Sequence, residues 1–153
     1  MTSPSFDHET FLSPLTWRYG SPEMRALWSE AERRRRWRAV WHAVAVGQAN
    51  AGLVPEAAAA TIGRHTGEVD IAAAEAIEAE IHHDLMAELR VFADQCDADK
   101  SDADKSDADK SDAGNSGAGG WLHLGCTSMD IEDNADALRI RDGMALVVSR
   151  LET

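Results

Sequence analysis

Residues 120–134 read GWLHLGCTSMDIEDN, and in this segment a glycine-rich approach gives way to a helical pattern. Thr127 or Ser128 can cap the helix, and Asp130 occupies the third helical position if Thr127 is the cap. A helix N-terminus presents free backbone N–H groups and a partial positive charge, which suit a carboxylate or a phosphate. Because His123 lies just upstream, the segment predicts an anion-binding corner that carries a titratable group.

Apolar residues recur at helical spacing through most of the remaining chain. The pattern predicts helices over about 22–51, 55–64 and 70–96, and a fourth from Ser128 to the C-terminus. The first begins at Ser21-Pro22-Glu23, where a cap candidate precedes proline at the first helical position. Because no segment alternates like a β-strand, the predicted fold class is all-α, an antiparallel helical bundle that includes the start of a long helix.

The sequence divides into four segments by composition. We predict an N-terminal arm over 1–21, a helical domain over 22–96, a loop insert over 97–120, and the corner with the start of the long helix over 121–153. The insert repeats Asp97-Ala98-Asp99-Lys100-Ser101 twice more and then becomes glycine-rich. It is too poor in apolar residues to join a core, so we predict a disordered surface loop, in which added length has little effect on stability.

The recurring Asp-x-Asp pattern invites a comparison with calcium-binding loops. An EF-hand loop that began at Asp97 would need a glycine where Asp102 stands and a glutamate where Ala108 stands. Both requirements fail, and Cys96 and Cys126 make neither a disulfide framework nor a zinc ligand set. We therefore predict no metal site and no cofactor.

The net charge of −12 argues against non-specific binding to nucleic acid and to anionic membrane surfaces. The absence of a long apolar run and of a signal-like N-terminus predicts a cytoplasmic protein that does not enter membranes. Arg33–Arg36 are expected to form a solvated helix face with some interhelical ion pairs. The tryptophans Trp28, Trp37 and Trp41 are expected in the core or in subunit contacts.

Three motifs in order along the chain carry a family resemblance. They are Arg18-Tyr19-Gly20-Ser21-Pro22-Glu23-Met24, His82-His83-Asp84-Leu85-Met86-Ala87, and His123-Leu124-Gly125-Cys126-Thr127-Ser128-Met129-Asp130-Ile131-Glu132-Asp133-Asn134. The last motif resembles the first conserved region of the fumarase/aspartase superfamily of lyases, in a form similar to bacterial adenylosuccinate lyases. The resemblance spans nearly the whole chain except the first dozen residues and the acidic insert.

The resemblance implies a β-elimination that releases fumarate from adenylosuccinate and from the succinyl-carboxamide ribotide SAICAR in purine nucleotide biosynthesis. It implies that Arg18 and Tyr19 bind phosphate, and that Thr127 and Ser128 bind the succinyl carboxylate. His83 and His123 correspond to active-site histidines, and Asp84 pairs with His83. His82, His83 and Asp84 are also expected to bind the substrate, although His82 departs from the family pattern, in which arginine is usual at that position. Histidines that match no motif are read as incidental; they are His8, His42 and His65.

The resemblance also implies what these 153 residues lack. The family's general-acid histidine and its general base, a serine on a mobile loop, lie in later regions that do not occur here, and each family active site draws on three subunits of a tetramer. We therefore expect an N-terminal portion that is inactive alone. Exposed apolar residues on the last helix, namely Ile131, Leu138, Ala145 and Val148, predict self-association.

Two alternatives stay open. One is a non-catalytic helical module that binds nucleotide or a partner, which the missing regions and His82 favour. The other is a different member of the superfamily, such as a cycloisomerase or an argininosuccinate lyase, against which the segment Arg18–Met24 argues.

Overall fold

The computed structural model describes residues 13, 15–98 and 117–152, and in these ranges every regular element is helical. The predicted all-α class is therefore confirmed. The α-helices are α1 Pro22–Leu27, α2 Glu30–Asn50, α3 Glu56–Arg64, α4 Ile71–Ile81, α5 Asp84–Ala98 and α6 Ser128–Leu151. A π-helical turn at Leu15–Tyr19 precedes α1, and a 3-10 turn at Ala118–Trp121 precedes the corner. Most of the predicted arm and most of the predicted acidic loop lie outside the described residues.

Three helices begin where the sequence predicts. The hydroxyl of Ser21 accepts the backbone N–H three residues downstream at 3.2 Å, and a carboxylate oxygen of Asp70 does the same at 3.0 Å. At α6 the carboxylate of Asp130 accepts the backbone N–H of Thr127 at 2.8 Å. These short-range bonds satisfy amide groups that have no partner inside the helix, so a few residues suffice to set each start.

The prediction of one continuous helix over about 22–51 is wrong, because Ser29 divides it into α1 and α2. The Ser29 hydroxyl donates to the carbonyl of Ala26 at 2.7 Å and accepts the N–H of Glu32 at 3.2 Å. One side chain therefore ends the first helix and caps the second, which is the competition with helical hydrogen bonding that serine offers.

The prediction of one continuous helix over about 70–96 is also wrong. His82 ends α4 in the left-handed conformation, with φ of 56°, and its N–H donates to the carbonyl of Glu78 at 2.7 Å. The chain then restarts as α5 at Asp84. The break turns α5 back against α4 and places His83 at the junction.

The core surrounds α2, which packs against α3 and α6. Large side chains from α2, α3, α5 and the first turn of α6 fill it, and those with at most 2% exposure include Trp37, Trp41, Ile62, Phe92 and Ile131. Two of the tryptophans are therefore core residues as predicted, whereas Trp28 is 46% exposed and lies against the guanidinium of Arg139.

The expectation of a solvated arginine face is wrong for Arg34, although the expected ion pairs are confirmed. Arg34 is 1% exposed and Arg38, one turn later, is fully buried. Both guanidinium groups contact the fully buried carboxylate of Glu88 on α5, at 3.0 Å and 2.5 Å. Arg36 pairs across to Asp142 of α6 at 2.8 Å, so only part of the arginine run faces solvent.

The predicted exposed face of α6 is wrong at Ile131, which is fully buried, whereas Val148 is 50% exposed. Exposed apolar side chains concentrate in the second half of the helix, and they are Ile140, Met144, Val147, Val148 and Leu151. The expected self-association stays a prediction that now rests on this later face. In the described part of the chain, no helix combines the length and apolar character that a membrane crossing needs.

The two ends of the acidic insert meet. A carboxylate oxygen of Asp97, at the end of α5, accepts the N–H of Gly119 at 2.8 Å. A Cβ on Gly119 would lie 2.5 Å from the carbonyl oxygen of Ala93, so only glycine allows this approach. The chain therefore leaves α5 and returns at nearly the same point.

Deleting residues 99–116 and joining Ala98 to Gly117 through three glycine or serine residues should preserve the fold. The closure entropy of a loop grows slowly with its length, so a roughly sixfold shortening should stabilise the protein by about 1.5 kcal/mol. Urea denaturation followed by far-UV circular dichroism measures this change. A glycine/serine tract of unchanged length is the matched control, and a loss of helical signal in the shortened chain would contradict the prediction.

Candidate functional site

Two helix starts and the corner before α6 converge at one place. His83 precedes α5, Ser128 is the first residue of α6, and the two side chains approach with 3.4 Å between His83 Nε2 and Ser128 Oγ. Positions 83 and 128 are far apart in sequence, so the packing of α5 against the rest of the chain brings them together. The predicted pair of an active-site histidine and a carboxylate-binding serine is thus adjacent.

The helix start of α5 orients the ring of His83. Its Nδ1 accepts the backbone N–H of Met86 at 3.4 Å, so His83 acts as a cap for this helix. A neutral imidazole has one donor and one acceptor nitrogen, so the proton then resides on Nε2, the atom that faces Ser128. A carboxylate oxygen of Asp84 lies 3.9 Å from His83 Nδ1 and accepts a hydrogen bond from the N–H of Leu85. Asp84 therefore contributes negative charge near His83 but does not orient its ring.

His123 lies in the corner itself and has a left-handed backbone, with φ of 62°. Two side chains of α2, seven residues apart and so on one face, hold this turn. The indole N–H of Trp41 donates to His123 Nδ1 at 3.0 Å, and the amide of Gln48 donates to the carbonyl of Leu124 at 2.8 Å. These tethers fix the corner against the core.

The electrostatic surroundings keep His123 neutral. Burial lowers the pKa of His123, and the neighbouring His83 lowers it further, while Asp130 opposes the change. At neutral pH the ring therefore offers a neutral donor and not a positive charge.

Sequence reasoning missed two charged residues beside His83. Glu132 is one helical turn after Ser128, and burial raises its pKa, with Asp84 adding to the rise and His83 and Arg33 opposing it. Arg33 of α2 also lies 3.4 Å from the Asp84 carboxylate. The i, i+4 spacing of Ser128 and Glu132 was the signal available in the sequence, since residues four apart share a helix face.

The structure does not gather every predicted site residue. Arg18 and Tyr19 lie at the end of the N-terminal π-helical turn, where Tyr19 is 71% exposed. His82 lines a shallow surface depression together with Glu75 and Glu78 of α4. None of the three takes part in the hydrogen bonds that join His83 to Ser128 or His123 to Trp41.

A cleft of about 850 Å³ opens beside the corner, between α2 and α6. Small apolar residues of α2, such as Ala39 and Ala43, form one wall, and Asp130 and Asn134 of α6 contribute polar groups opposite. Thr127 is exposed and immediately precedes the first residue of α6, next to Gly125 and Cys126, which line the cleft. Burial raises the pKa of the Cys126 thiol, which therefore stays protonated at neutral pH.

The described residues contain no group of three or more histidine, cysteine, aspartate or glutamate side chains arranged to hold a metal ion. The site also contains several hydrogen-bond donors. They are the free amides at the start of α6, the Ser128 hydroxyl and two imidazoles, and they suit an anionic ligand.

No family model matches the chain. The chain is, however, similar to known lyases over most of its length. It is 34% identical over 141 residues to the adenylosuccinate lyase of Pyrococcus abyssi, which is 91% of this chain and 27% of that protein. It is 33% identical over 149 residues to the adenylosuccinate lyase of Saccharomyces cerevisiae, or 95% of this chain and 27% of that protein.

The similarity extends to a lyase that is named for another substrate. The chain is 30% identical over 134 residues to the N-acetyl-S-(2-succino)cysteine lyase of Dickeya dadantii, covering 85% of this chain and 25% of that protein. The chain thus spans about a quarter of the length of the curated relatives it matches.

Proposed function

Because the chain belongs to the lyase family that includes the adenylosuccinate lyases, we propose that it supplies the substrate-binding part of an adenylosuccinate lyase. The reaction is the β-elimination of fumarate from adenylosuccinate and from SAICAR in purine nucleotide biosynthesis. These 153 residues would contribute one portion of an active site in a cytoplasmic homotetramer, without a cofactor.

The convergence of His83 and Ser128 is the observation that carries this proposal. In the proposed complex the start of α6 binds a carboxylate of the succinyl group through backbone amides and the hydroxyls of Thr127 and Ser128. His83 and His123 face the same ligand, and an imidazole can donate a hydrogen bond to it or exchange a proton with it. Arg18 and Tyr19 would bind the substrate phosphate, for which a guanidinium fork and a hydroxyl are suited.

These residues alone should release no fumarate. The family places its general acid and its general base in regions that these 153 residues do not include, and the chain spans about a quarter of its relatives. Purified chain incubated with adenylosuccinate should therefore give no fumarate by absorbance, whereas supplying the remaining three quarters of the yeast relative in trans should restore release.

A second candidate is a non-catalytic module that binds nucleotide or a partner, which the histidine at position 82, where the family has arginine, favours. Fumarate release in the trans experiment would contradict it. Continued inactivity of a soluble mixed complex would instead contradict the lyase proposal.

Binding of AMP to the 153-residue chain tests the phosphate site directly. Arg18→Ala should weaken AMP binding by roughly 10- to 100-fold in calorimetric titration, because a hydrogen bond to a charged group contributes about 1.5–3 kcal/mol. Arg25→Ala is the matched control, since Arg25 is also exposed and lies in α1. Equal weakening by both variants would contradict a specific role for Arg18.

A further inference from the structure

Trp41 is buried in the core, yet its one polar atom points at the candidate site. The side chain is 1% exposed, packs against Phe92 with 6.0 Å between ring centroids, and meets the imidazole of His123 edge-on at 77°. The indole nitrogen lies 3.0 Å from His123 Nδ1. Nothing in the family resemblance or in the elimination chemistry above assigns a role to this tryptophan.

The chemistry of the two rings determines which atom carries the proton. An indole N–H can only donate, so the nitrogen that it contacts must be an acceptor. His123 Nδ1 must therefore be unprotonated while the bond is made, and the neutral ring carries its proton on Nε2. An imidazolium carries protons on both nitrogens, so charging His123 breaks the bond to Trp41.

The backbone makes this arrangement specific. His123 has a positive φ, which is uncommon for a residue with a Cβ and persists only where the surroundings impose it. The side-chain amide of Gln48, near the C-terminal end of α2, donates to the carbonyl of Leu124 in this turn. Trp41, two helical turns earlier in α2, donates to the ring of His123 itself. These features fix the backbone from which the imidazole extends, and with it the position of the ring relative to Trp41.

We infer that Trp41 is a positioning residue that fixes His123 as the neutral Nε2–H tautomer, so that this histidine presents an uncharged N–H donor to an anionic ligand. The assignment of the tautomer depends only on the contact between the two rings. Its functional meaning, donation to a carboxylate or phosphate of the substrate, rests on the proposed function.

The other groups that face His123 do not set the tautomer. Asp130 of α6 and His83 at the start of α5 act on it through charge, in opposite directions. Neither hydrogen-bonds the ring within the described residues, whereas Trp41 does. Long-range charge shifts the protonation of the ring as a whole, whereas a hydrogen-bond donor at Nδ1 favours the neutral form that is protonated at Nε2.

Nitrogen NMR of the ligand-free chain with ¹⁵N-labelled histidine tests the inference. We expect His123, assigned by the signals lost in His123→Gln, to show a pyridine-type Nδ1 and a pyrrole-type Nε2. Trp41→Phe keeps a large buried ring and removes the donor. It should reduce the preference for the Nε2–H form roughly five- to tenfold and raise the pKa of His123 by about half a unit to one unit.

Trp37→Phe is the matched control, since Trp37 is also a buried tryptophan of α2 but lies against Arg33. It should leave the His123 tautomer unchanged. An Nδ1–H form in the wild-type chain, or an unchanged tautomer ratio in folded Trp41→Phe, would overturn the inference.

If Trp41→Phe does not fold, a measurement on the wild-type chain still tests the inference. The chemical shift of the Trp41 indole N–H should then change with pH at the same midpoint as the resonances of the His123 ring. An indole chemical shift that stays constant through the titration of His123 would overturn the inference. Because no ligand is present, a negative result here is distinguishable from failure to bind AMP or to release fumarate.

Discussion

Glu88→Gln is expected to lower the free energy of unfolding by about 3–5 kcal/mol. The Glu88 carboxylate is fully buried between two buried guanidinium groups, those of Arg34 and Arg38. Arg38 cannot swing out to water, because its Nη1 also donates to the carbonyl of His65 at 2.9 Å and to the side chain of Gln95 at 2.7 Å. A neutral amide at position 88 would remove the buried negative charge that both guanidinium groups contact, and would leave Arg34 with the part-exposed carboxylate of Glu30 at 2.9 Å.

Urea denaturation followed by circular dichroism measures this loss. Glu23→Gln is the control, because Glu23 makes an exposed interhelical ion pair with Arg150 at 2.9 Å, and removing such a pair should change stability by less than about 1 kcal/mol. Equal effects from the two variants would mean that solvent reaches the buried cluster, and the account of the α2–α5 contact would be wrong.

Ile131→Ala should lower the free energy of unfolding by about 2–5 kcal/mol, because truncating a buried side chain removes apolar burial and leaves a cavity. Ile131 is fully buried, in the same core cluster as Trp41 and Phe92. It also lies three residues after Ser128, so its packing sets where the start of α6 is held.

Val148→Ala, on the same helix, is the comparison. Val148 is 50% exposed, and truncation there should change stability by no more than about 0.5 kcal/mol. Thermal unfolding of both variants measures the contrast. A small effect at Ile131 together with a large one at Val148 would show that α6 is rotated from the orientation described above.

The short-range features of the fold could be predicted from the sequence. Ser21, Asp70 and Thr127 mark helix starts, because capping joins groups only three residues apart. The missed interruptions at Ser29 and His82 are also local, but an apolar pattern with helical spacing runs through both positions. The spacing of apolar residues indicates which face of a helix is apolar, but it does not indicate whether the helix continues without a break.

The candidate site was predictable in part. Position 123 and the start of α6 were identified together because they are adjacent in sequence. Arg33 and Glu132 were missed because their roles depend on α2, α5 and α6 meeting around His83. Trp41 was assigned to the core, which is correct, but its hydrogen bond to His123 joins residues 82 positions apart.

The sequence alone therefore determined the helical class and most helix starts, and it predicted an anion-binding corner, since each depends on residues within a turn or two of one another. Only the tertiary structure decided which side of α6 is buried, which arginine side chains are buried, and which nitrogen of His123 accepts the hydrogen bond from Trp41. Those outcomes depend on partners that are distant in the chain, such as Glu88 for Arg34, 54 residues away. Burial and charge pairing are properties of the packed helices, and no local pattern specifies them.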